Sequence, residues 1–151
     1  MSQITAHKTV SDLLRETRIL VAPATYVLVG LSPRDWTRLL EESGLSPASD
    51  SSFMIFRDPK QVTLLLEEDD WNRMRHAVRD AWIESDFRLL TLDIELPWDV
   101  VGYFALVAEI LAEAGIALGA LSSFSRDHLL VKQADLGKAL RVLGGHVAEL
   151  C

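Results

Sequence analysis

Cysteine is almost absent from this sequence. The single Cys151 cannot form a disulfide within the chain. So little cysteine is typical of a reducing compartment, and we expect a cytoplasmic protein. No basic segment followed by an apolar run opens the sequence, so we expect no signal peptide. The longest apolar stretch, residues 100–121, contains Glu109 and Glu113 and is interrupted by glycines, so we expect no membrane span.

Positive charge and metal-binding patterns are also scarce. The 15 Lys and Arg residues face 22 Asp and Glu, which gives a net charge of −7 and argues against a nucleic-acid partner. The acidic run Glu67–Asp70 suits the first turn of a helix better than a metal site. No glycine-rich phosphate loop precedes a helix, so no cofactor is expected. The histidines show no metal-ligand spacing and stand at His7, His76, His128 and His146.

The 151 residues, 49% of them apolar, suffice for one ordinary domain or for two small units that share a core. A short apolar run, Arg18–Val21, ends before Pro23, and the β-forming run Tyr26–Leu31 is a predicted strand. Ser32–Pro33 supply the N-cap and first residue of a helix that we expect to end at Gly44.

Next, apolar runs at 53–56 and 62–66 flank a turn and predict a β-hairpin. A second helix is expected after the acidic run, with apolar residues at helical spacing at Trp71, Met74, Val78 and Trp82.

The second half predicts the order β-α-β-β-α. Residues 87–96 alternate between apolar and polar, and a helical period then continues until Gly115. The later segments are a strand at 116–121, a strand at 128–131, a helix at 134–143 and a short strand within 146–151.

This order predicts an α+β fold of the ferredoxin-like type, with helices on one face of an antiparallel sheet. The similar order of the two halves predicts tandem units at 9–83 and 84–151. The first half opens with a helix and lacks a leading strand of its own, so we expect the halves to share strands. Small sheets expose their edges, and either an intertwined monomer or a homodimer through sheet edges would cover them.

Several segments resemble a known family. The runs Gly102–Ile116, Leu121–Val131 and Ala134–Leu136 closely resemble the ACT domain. More narrowly, they resemble the subfamily of the CASTOR arginine sensors and small bacterial ACT proteins. In the first half, Leu13–Gly30 resembles the opening helix and strand of the family, and Phe53–Glu68 resembles its hairpin. The resemblance implies two tandem βαββαβ ACT units with a regulatory, non-enzymatic role.

The resemblance also implies a ligand, usually a free amino acid, where two ACT units meet. It would lie against the loop after the first strand and against the second strand. Tyr103 stands where relatives more often carry a smaller aliphatic residue, and the loop Pro97–Asp99 differs from theirs. The alternative is therefore a ligand-free oligomerisation or interaction module, its pocket occluded by Tyr103 and Trp98. A small enzyme is a third hypothesis, but the sequence shows no acid–base or nucleophile set.

Elementary chemistry supports a site at this place. The N–H groups of residues 100–103 suit a carboxylate at a helix N-terminus. Gly102 either lets a ligand approach its backbone or lets the helix pack tightly on the sheet. Asp127 suits an ammonium group or a cationic ligand side chain, or else is a solvated turn carboxylate or a partner of Arg126 or His128.

The remaining candidates have weaker patterns. Ser122 and Ser123 either bind a ligand or only form the turn, and no partnered base is evident in the sequence. Phe124 is expected in the core, although it could line an apolar wall, and Trp98 is a lid or an interface residue. Asp99 is the expected helix cap. The complete candidate site comprises Trp98, Asp99, Val101, Gly102, Tyr103, Ser122, Ser123, Phe124 and Asp127.

Overall fold

The computed structural model describes residues 8–41 and 50–151. None of the helices in these ranges is long and apolar enough to cross a membrane. The helices are α1 Val10–Glu16, α2 Pro33–Glu41, α3 Glu68–Met74, α4 Tyr103–Glu113 and α5 Leu136–Gly144, with 3-10 turns at Arg75–Ala77 and Gln133–Asp135. The strands are β1 Arg18–Leu31, β2 Met54–Arg57, β3 Val62–Glu67, β4 Ala81–Asp93, β5 Gly119–Ser122, β6 Asp127–Lys132 and β7 Glu149–Leu150.

The chain forms two compact units. Residues 24–87 form the central unit, and the residues up to Pro23 join Arg88–Cys151 in the terminal unit. Strands β1 and β4 are each divided between the two units, so strands are shared as expected. The tandem boundaries 9–83 and 84–151 remain a prediction about sequence modules, because spatial packing groups residues 8–23 with the C-terminal half.

The central unit is a complete βαββαβ sandwich with strand order β2-β3-β1-β4. Ser32 caps α2 as predicted, since its Oγ accepts a hydrogen bond of 3.1 Å from the Asp35 amide. Gly44, the expected end of this helix, lies outside the described residues. One face of the sheet packs with the helices around a core of Val27, Val29, Leu31, Leu39, Val62, Leu64, Leu66, Trp71 and Met74.

One sequence prediction about this region is wrong. Trp82 does not continue α3, which ends at Met74; it lies in β4 and is 67% exposed. Its four-residue spacing from Val78 spans a turn between helix and strand, which periodicity cannot distinguish from one more helical turn. Pro23, which follows the apolar run 18–21, lies within β1. It lies between the part of β1 that pairs with β7 and the part that pairs with β3. Its missing N–H therefore removes no hydrogen bond between β1 and either of these two strands.

The terminal unit has the strand order β7-β1-β4-β6-β5. In a βαββαβ unit the last strand normally lies beside the first. In the second half of this chain the first strand is β4 and the last is β7, but β1 occupies the place beside β4. The two-residue β7 pairs in parallel with the other side of β1. Helices α1 and α5 both pack on α4. The core consists of Leu13, Leu14, Ile19, Leu90, Leu92, Tyr103, Val107, Leu111, Ile116, Leu129, Val131, Ala139 and Leu143.

A buried chain of hydroxyl groups joins α1 to the start of α4. Thr17 Oγ1 donates to the Leu13 carbonyl at 2.8 Å, so its lone pairs remain free to accept from the Tyr103 hydroxyl at 2.7 Å. Both side chains are almost fully buried, and burial raises the pKa of Tyr103 to about 12, which keeps its hydroxyl a donor. The bond therefore fixes the first residue of α4 to the N-terminal segment.

We expect Tyr103→Phe to destabilise the protein by about 1 kcal/mol, because it removes one buried neutral hydrogen bond and little volume. Chemical denaturation of this variant, of Thr17→Val and of the double variant gives a double-mutant cycle. The double variant should cost less than the sum of the single variants. Simple additivity would contradict a direct hydroxyl–hydroxyl bond.

Candidate ligand-binding site

A cavity of about 280 Å³ lies within the terminal unit. Two segments line it: the loop and first turn of α4 after β4, and the turn between β5 and β6. Seven of the nine candidate residues line this cavity, whereas Asp99 and Val101 do not. The lining residues are Leu96, Pro97, Trp98, Val100, Gly102, Tyr103, Phe104, Ala105, Ser122, Ser123, Phe124, Ser125, Arg126 and Asp127.

Three polar contacts hold the walls of the cavity together. The Leu96 amide donates to the Ser125 carbonyl at 3.0 Å, which joins the β4–α4 loop to the β5–β6 turn. Arg126 Nε donates to Asp93 Oδ1 at 2.8 Å, and its Nη2 lies 3.7 Å from Glu95 Oε1. Because β4 carries Asp93, the turn is fixed to the strand that precedes the loop.

Gly102 immediately precedes helix α4, as its N-cap residue, in a left-handed conformation with φ +86 and ψ 4. A side chain there would meet no atom within 4 Å, so close packing on the sheet does not explain this glycine. The backbone angle does, because L-residues adopt it only with strain. The open space next to its backbone is also what a bound molecule would need.

The N-terminus of α4 has no capping side chain and no acidic residue in its first turn. Asp99, the expected cap, is exposed and does not cap the helix, because the helix begins later, at Tyr103. The Val100 amide is used in a turn, donating to the Pro97 carbonyl at 3.2 Å. The amides of the first turn lack intrahelical partners in any α-helix, so the positive end of α4 is directed to the cavity without a compensating carboxylate of its own.

Asp127 supplies the negative charge of the cavity. It is half-buried at the start of β6, and its Oδ1 accepts a hydrogen bond of 2.7 Å from the Ser122 hydroxyl. Arg126 pairs with Asp93 and Glu95, so the expected alternative of an Asp127–Arg126 ion pair is wrong. A carboxylate that accepts one hydroxyl can still accept further donors.

Ser123 and His128 form a polar contact that the sequence did not reveal. The Ser123 hydroxyl donates to the Arg126 carbonyl at 3.1 Å and lies 2.9 Å from His128 Nε2. On the other side of the ring, Nδ1 lies 2.9 Å from Thr91 Oγ1. Both hydroxyl groups can donate or accept, so the neutral ring can make both contacts in either tautomer.

Burial lowers the pKa of His128, an effect that Arg126 reinforces and the charge of Asp127 opposes. The folded state thus favours the neutral ring. Its contribution to stability is complete above the ordinary histidine pKa of about 6.5 and is lost as the pH falls through the lower pKa of the folded state.

Three apolar side chains near the cavity are exposed to solvent. Phe124, expected in the core, is fully exposed at the tip of the β5–β6 turn, since the turn ends the sheet and leaves no second layer to cover it. Trp98 is also fully exposed, and Val101 is 87% exposed. Tyr103, in contrast, is directed into the core, toward Thr17.

Sequence reasoning missed Arg126 as a lining residue. The one sequence signal for Arg126 was its position beside Asp127. Its ion pair with Asp93 depends on the pairing of β4 with β6, which no local pattern reveals. The apolar lining at Leu96 and Phe104 was predicted as strand and helix but not as cavity wall. Within residues 8–41 and 50–151, no three His, Cys, Asp or Glu side chains group as a metal site.

Comparisons with known proteins agree with this fold. A family model described as the ACT domain matches residues 83–144. No curated protein matches the chain. Among solved structures, a protein from Agrobacterium tumefaciens has a TM-score of 0.69 at 19% identity. The similar region covers 90% of this chain and 92% of the Agrobacterium protein.

Two further structures are similar. A Vibrio cholerae protein of unknown function, described as a possible transport protein, has a TM-score of 0.63 at 26% identity, with coverage of 87% and 90%. The ligand-free regulatory subunit of aspartate kinase from Thermus thermophilus has a TM-score of 0.65 at 12% identity, with coverage of 88% and 98%. The chain thus has the ferredoxin-like fold of ACT regulatory domains, and the family match lies in its second half.

We expect Gly102→Ala to destabilise the protein by about 1 kcal/mol, because an L-residue at this positive φ is strained although the space is open. Gly145→Ala is the matched control: it also faces open space, but at φ −75. Thermal and urea unfolding should show a clear loss for Gly102→Ala and a change within about 0.5 kcal/mol for Gly145→Ala. Equal effects would mean that the backbone angle is not the constraint.

Proposed function

We propose that this chain is a non-enzymatic regulatory protein that binds a free amino acid in the cavity of the terminal unit. One observation carries the proposal: an uncapped helix N-terminus at Gly102 and the carboxylate of Asp127 line the same cavity. A zwitterion requires these two opposite poles, and a site for an apolar molecule would require neither.

The two poles suggest how the ligand is oriented. Its carboxylate accepts from the free amides in the first turn of α4, where no acidic side chain competes. Its ammonium donates to Asp127, whose position is fixed by Ser122. The ligand side chain then faces the apolar part of the wall, which includes Leu96 and Phe104. A volume of about 280 Å³ is near the lower end of the ~300–1,000 Å³ of ligand pockets and suits a small metabolite.

The proposed absence of catalysis rests on the same contacts. Ser123 and His128 lie 2.9 Å apart, the separation that an activated serine nucleophile needs. However, the Ser123 hydroxyl also reaches the Arg126 carbonyl at 3.1 Å, so a second acceptor competes with His128 for its hydrogen. The other ring nitrogen faces Thr91 and no carboxylate, so the orienting member of a triad is missing from this contact.

The alternative function is a ligand-free oligomerisation or protein-interaction module with an occluded pocket. The exposed side chains of Trp98, Val101 and Phe124 favour an interacting surface. Two observations oppose occlusion: the Tyr103 hydroxyl is held by Thr17 within the core, and Trp98 is fully exposed. We therefore prefer ligand binding, with a second ACT unit closing the site.

We also propose that this chain belongs to the CASTOR-like subfamily of ACT proteins. The motifs of the second half support a CASTOR-like relative, and the similarity to a regulatory subunit of aspartate kinase supports a regulatory role. Since ACT-type ligands lie where ACT units meet, we propose a homodimer through sheet edges whose second copy completes the site. The single cysteine supports a cytoplasmic location.

A thermal-shift screen of the twenty amino acids at millimolar concentration tests the proposed function. A ligand at about 100 times its Kd should stabilise the protein by roughly 2.7 kcal/mol, or several degrees. Asp127→Asn should abolish the shift, because it removes the charge and keeps the shape. Asp99→Asn, a nearby exposed position outside the cavity, should retain it. No shift with any amino acid would contradict the proposal.

A second experiment tests the dimer. Strand β2 ends the sheet of the central unit and β5 ends that of the terminal unit. We expect sedimentation equilibrium to give a dimer, and a lysine on the pairing edge to give a monomer. Ile55→Lys tests β2 and Ala120→Lys tests β5, so each variant is the control for the other. A monomeric wild-type protein would remove the homodimer.

A further inference from the structure

The serine hydroxyls at the cavity already have partners within the protein. The Ser122 hydroxyl donates to Asp127 at 2.7 Å. The Ser123 hydroxyl lies 3.1 Å from the Arg126 carbonyl and 2.9 Å from His128 Nε2. A polar group on a ligand side chain would therefore compete with hydrogen bonds that the fold already makes, and would gain little from either hydroxyl.

The charged groups of the lining can receive one cation and no further ion. The Arg126 guanidinium pairs with Asp93 at 2.8 Å and lies 3.7 Å from Glu95, and its Nη1 donates to Ser125 Oγ at 3.0 Å. Neither of these two carboxylates lines the cavity. Among the described lining residues, Asp127 is therefore the charged side chain that no ion pair occupies. Once it accepts the ammonium of the ligand, a second charge on the ligand lacks a partner.

The rest of the lining is mainly apolar. Leu96, Val100 and Phe104 pack against the core of the terminal unit and also line the cavity. Trp98 on the β4–α4 loop and Phe124 on the β5–β6 turn line it from the two opposite segments, and both side chains are fully exposed. A ligand that removes their apolar surface from water is stabilised by the contact. Apolar contact is thus the interaction that these walls can add.

We propose that the ligand is an amino acid with an uncharged, apolar side chain, and that Trp98 and Phe124 cover this side chain and determine the specificity. The inference rests on the proposed function: the two poles hold the groups common to all amino acids, and the apolar lining then discriminates between side chains. A polar side chain of the same shape loses its hydrogen bonds to water and gains none in return. A charged side chain becomes an unpaired ion in a partly enclosed site.

Pairs of amino acids with nearly equal shape test this class directly. The pairs are valine and threonine, leucine and asparagine, methionine and glutamine, and phenylalanine and tyrosine. In isothermal titrations of the whole protein, the tightest of the twenty amino acids should be an apolar one. Within a pair, the apolar member should bind about 10- to 100-fold more tightly, because an apolar pocket rejects an added hydroxyl by at most about 10². Lysine, arginine, aspartate and glutamate should bind more weakly than the apolar ligand.

The outcomes separate this inference from the proposed function. A polar or charged amino acid that binds at least as tightly as the apolar ones, with binding abolished by Asp127→Asn, would overturn the apolar class and leave the amino-acid site standing. No binding by any of the twenty would contradict the proposed function and this inference with it.

Two exposed positions test the residues that determine specificity. Trp98→Ala and Phe124→Ala remove fully exposed side chains, so the fold should stay intact while the affinity for the apolar ligand falls about tenfold. Trp82→Ala and Phe56→Ala are the matched controls, because they remove the same side chains from exposed positions of the central unit. They should leave the affinity unchanged. Wild-type affinity in both Trp98→Ala and Phe124→Ala would overturn the role of these two residues.

Discussion

The left-handed backbone of Gly102 is the constraint on which the cavity depends. It turns the chain from the β4–α4 loop into α4, so the free amides of the first helical turn lie at the cavity wall. It also directs the next residue, Tyr103, into the core, where Thr17 holds its hydroxyl. One backbone angle thus sets the position of the helix dipole and the attachment of the N-terminal segment to the same helix.

The opposite wall is set by polar contacts and not by packing. The β5–β6 turn has no apolar layer above it, and its Phe124 is exposed. Its position depends on Arg126 with Asp93, on the Leu96–Ser125 bond and on the His128 bridge. One wall of the cavity is therefore fixed by the core, and the other is held by hydrogen bonds and an ion pair.

The sequence predicted the β-α-β-β-α order of the second half because its apolar period changes clearly at Pro97–Asp99 and at Gly115. The resemblance to the ACT domain pointed to the loop before α4 and to the second strand, and seven of the nine candidate residues line the cavity found there. Sequence reasoning failed where tertiary pairing overrides local pattern: Trp82 belongs to β4 and does not continue the helix that its spacing predicted. The contact between His128 and Thr91 could not be foreseen, because it depends on β4 lying beside β6.

The central claim is that an amino acid binds between the start of α4 and Asp127, and mapping amide shifts by NMR tests it most directly. Adding an amino acid that stabilises the protein should move the amide signals of 102–105 and 122–127 and leave those of the central unit nearly unchanged. Shifts confined to the central unit, or no shifts with any of the twenty amino acids, would contradict the account.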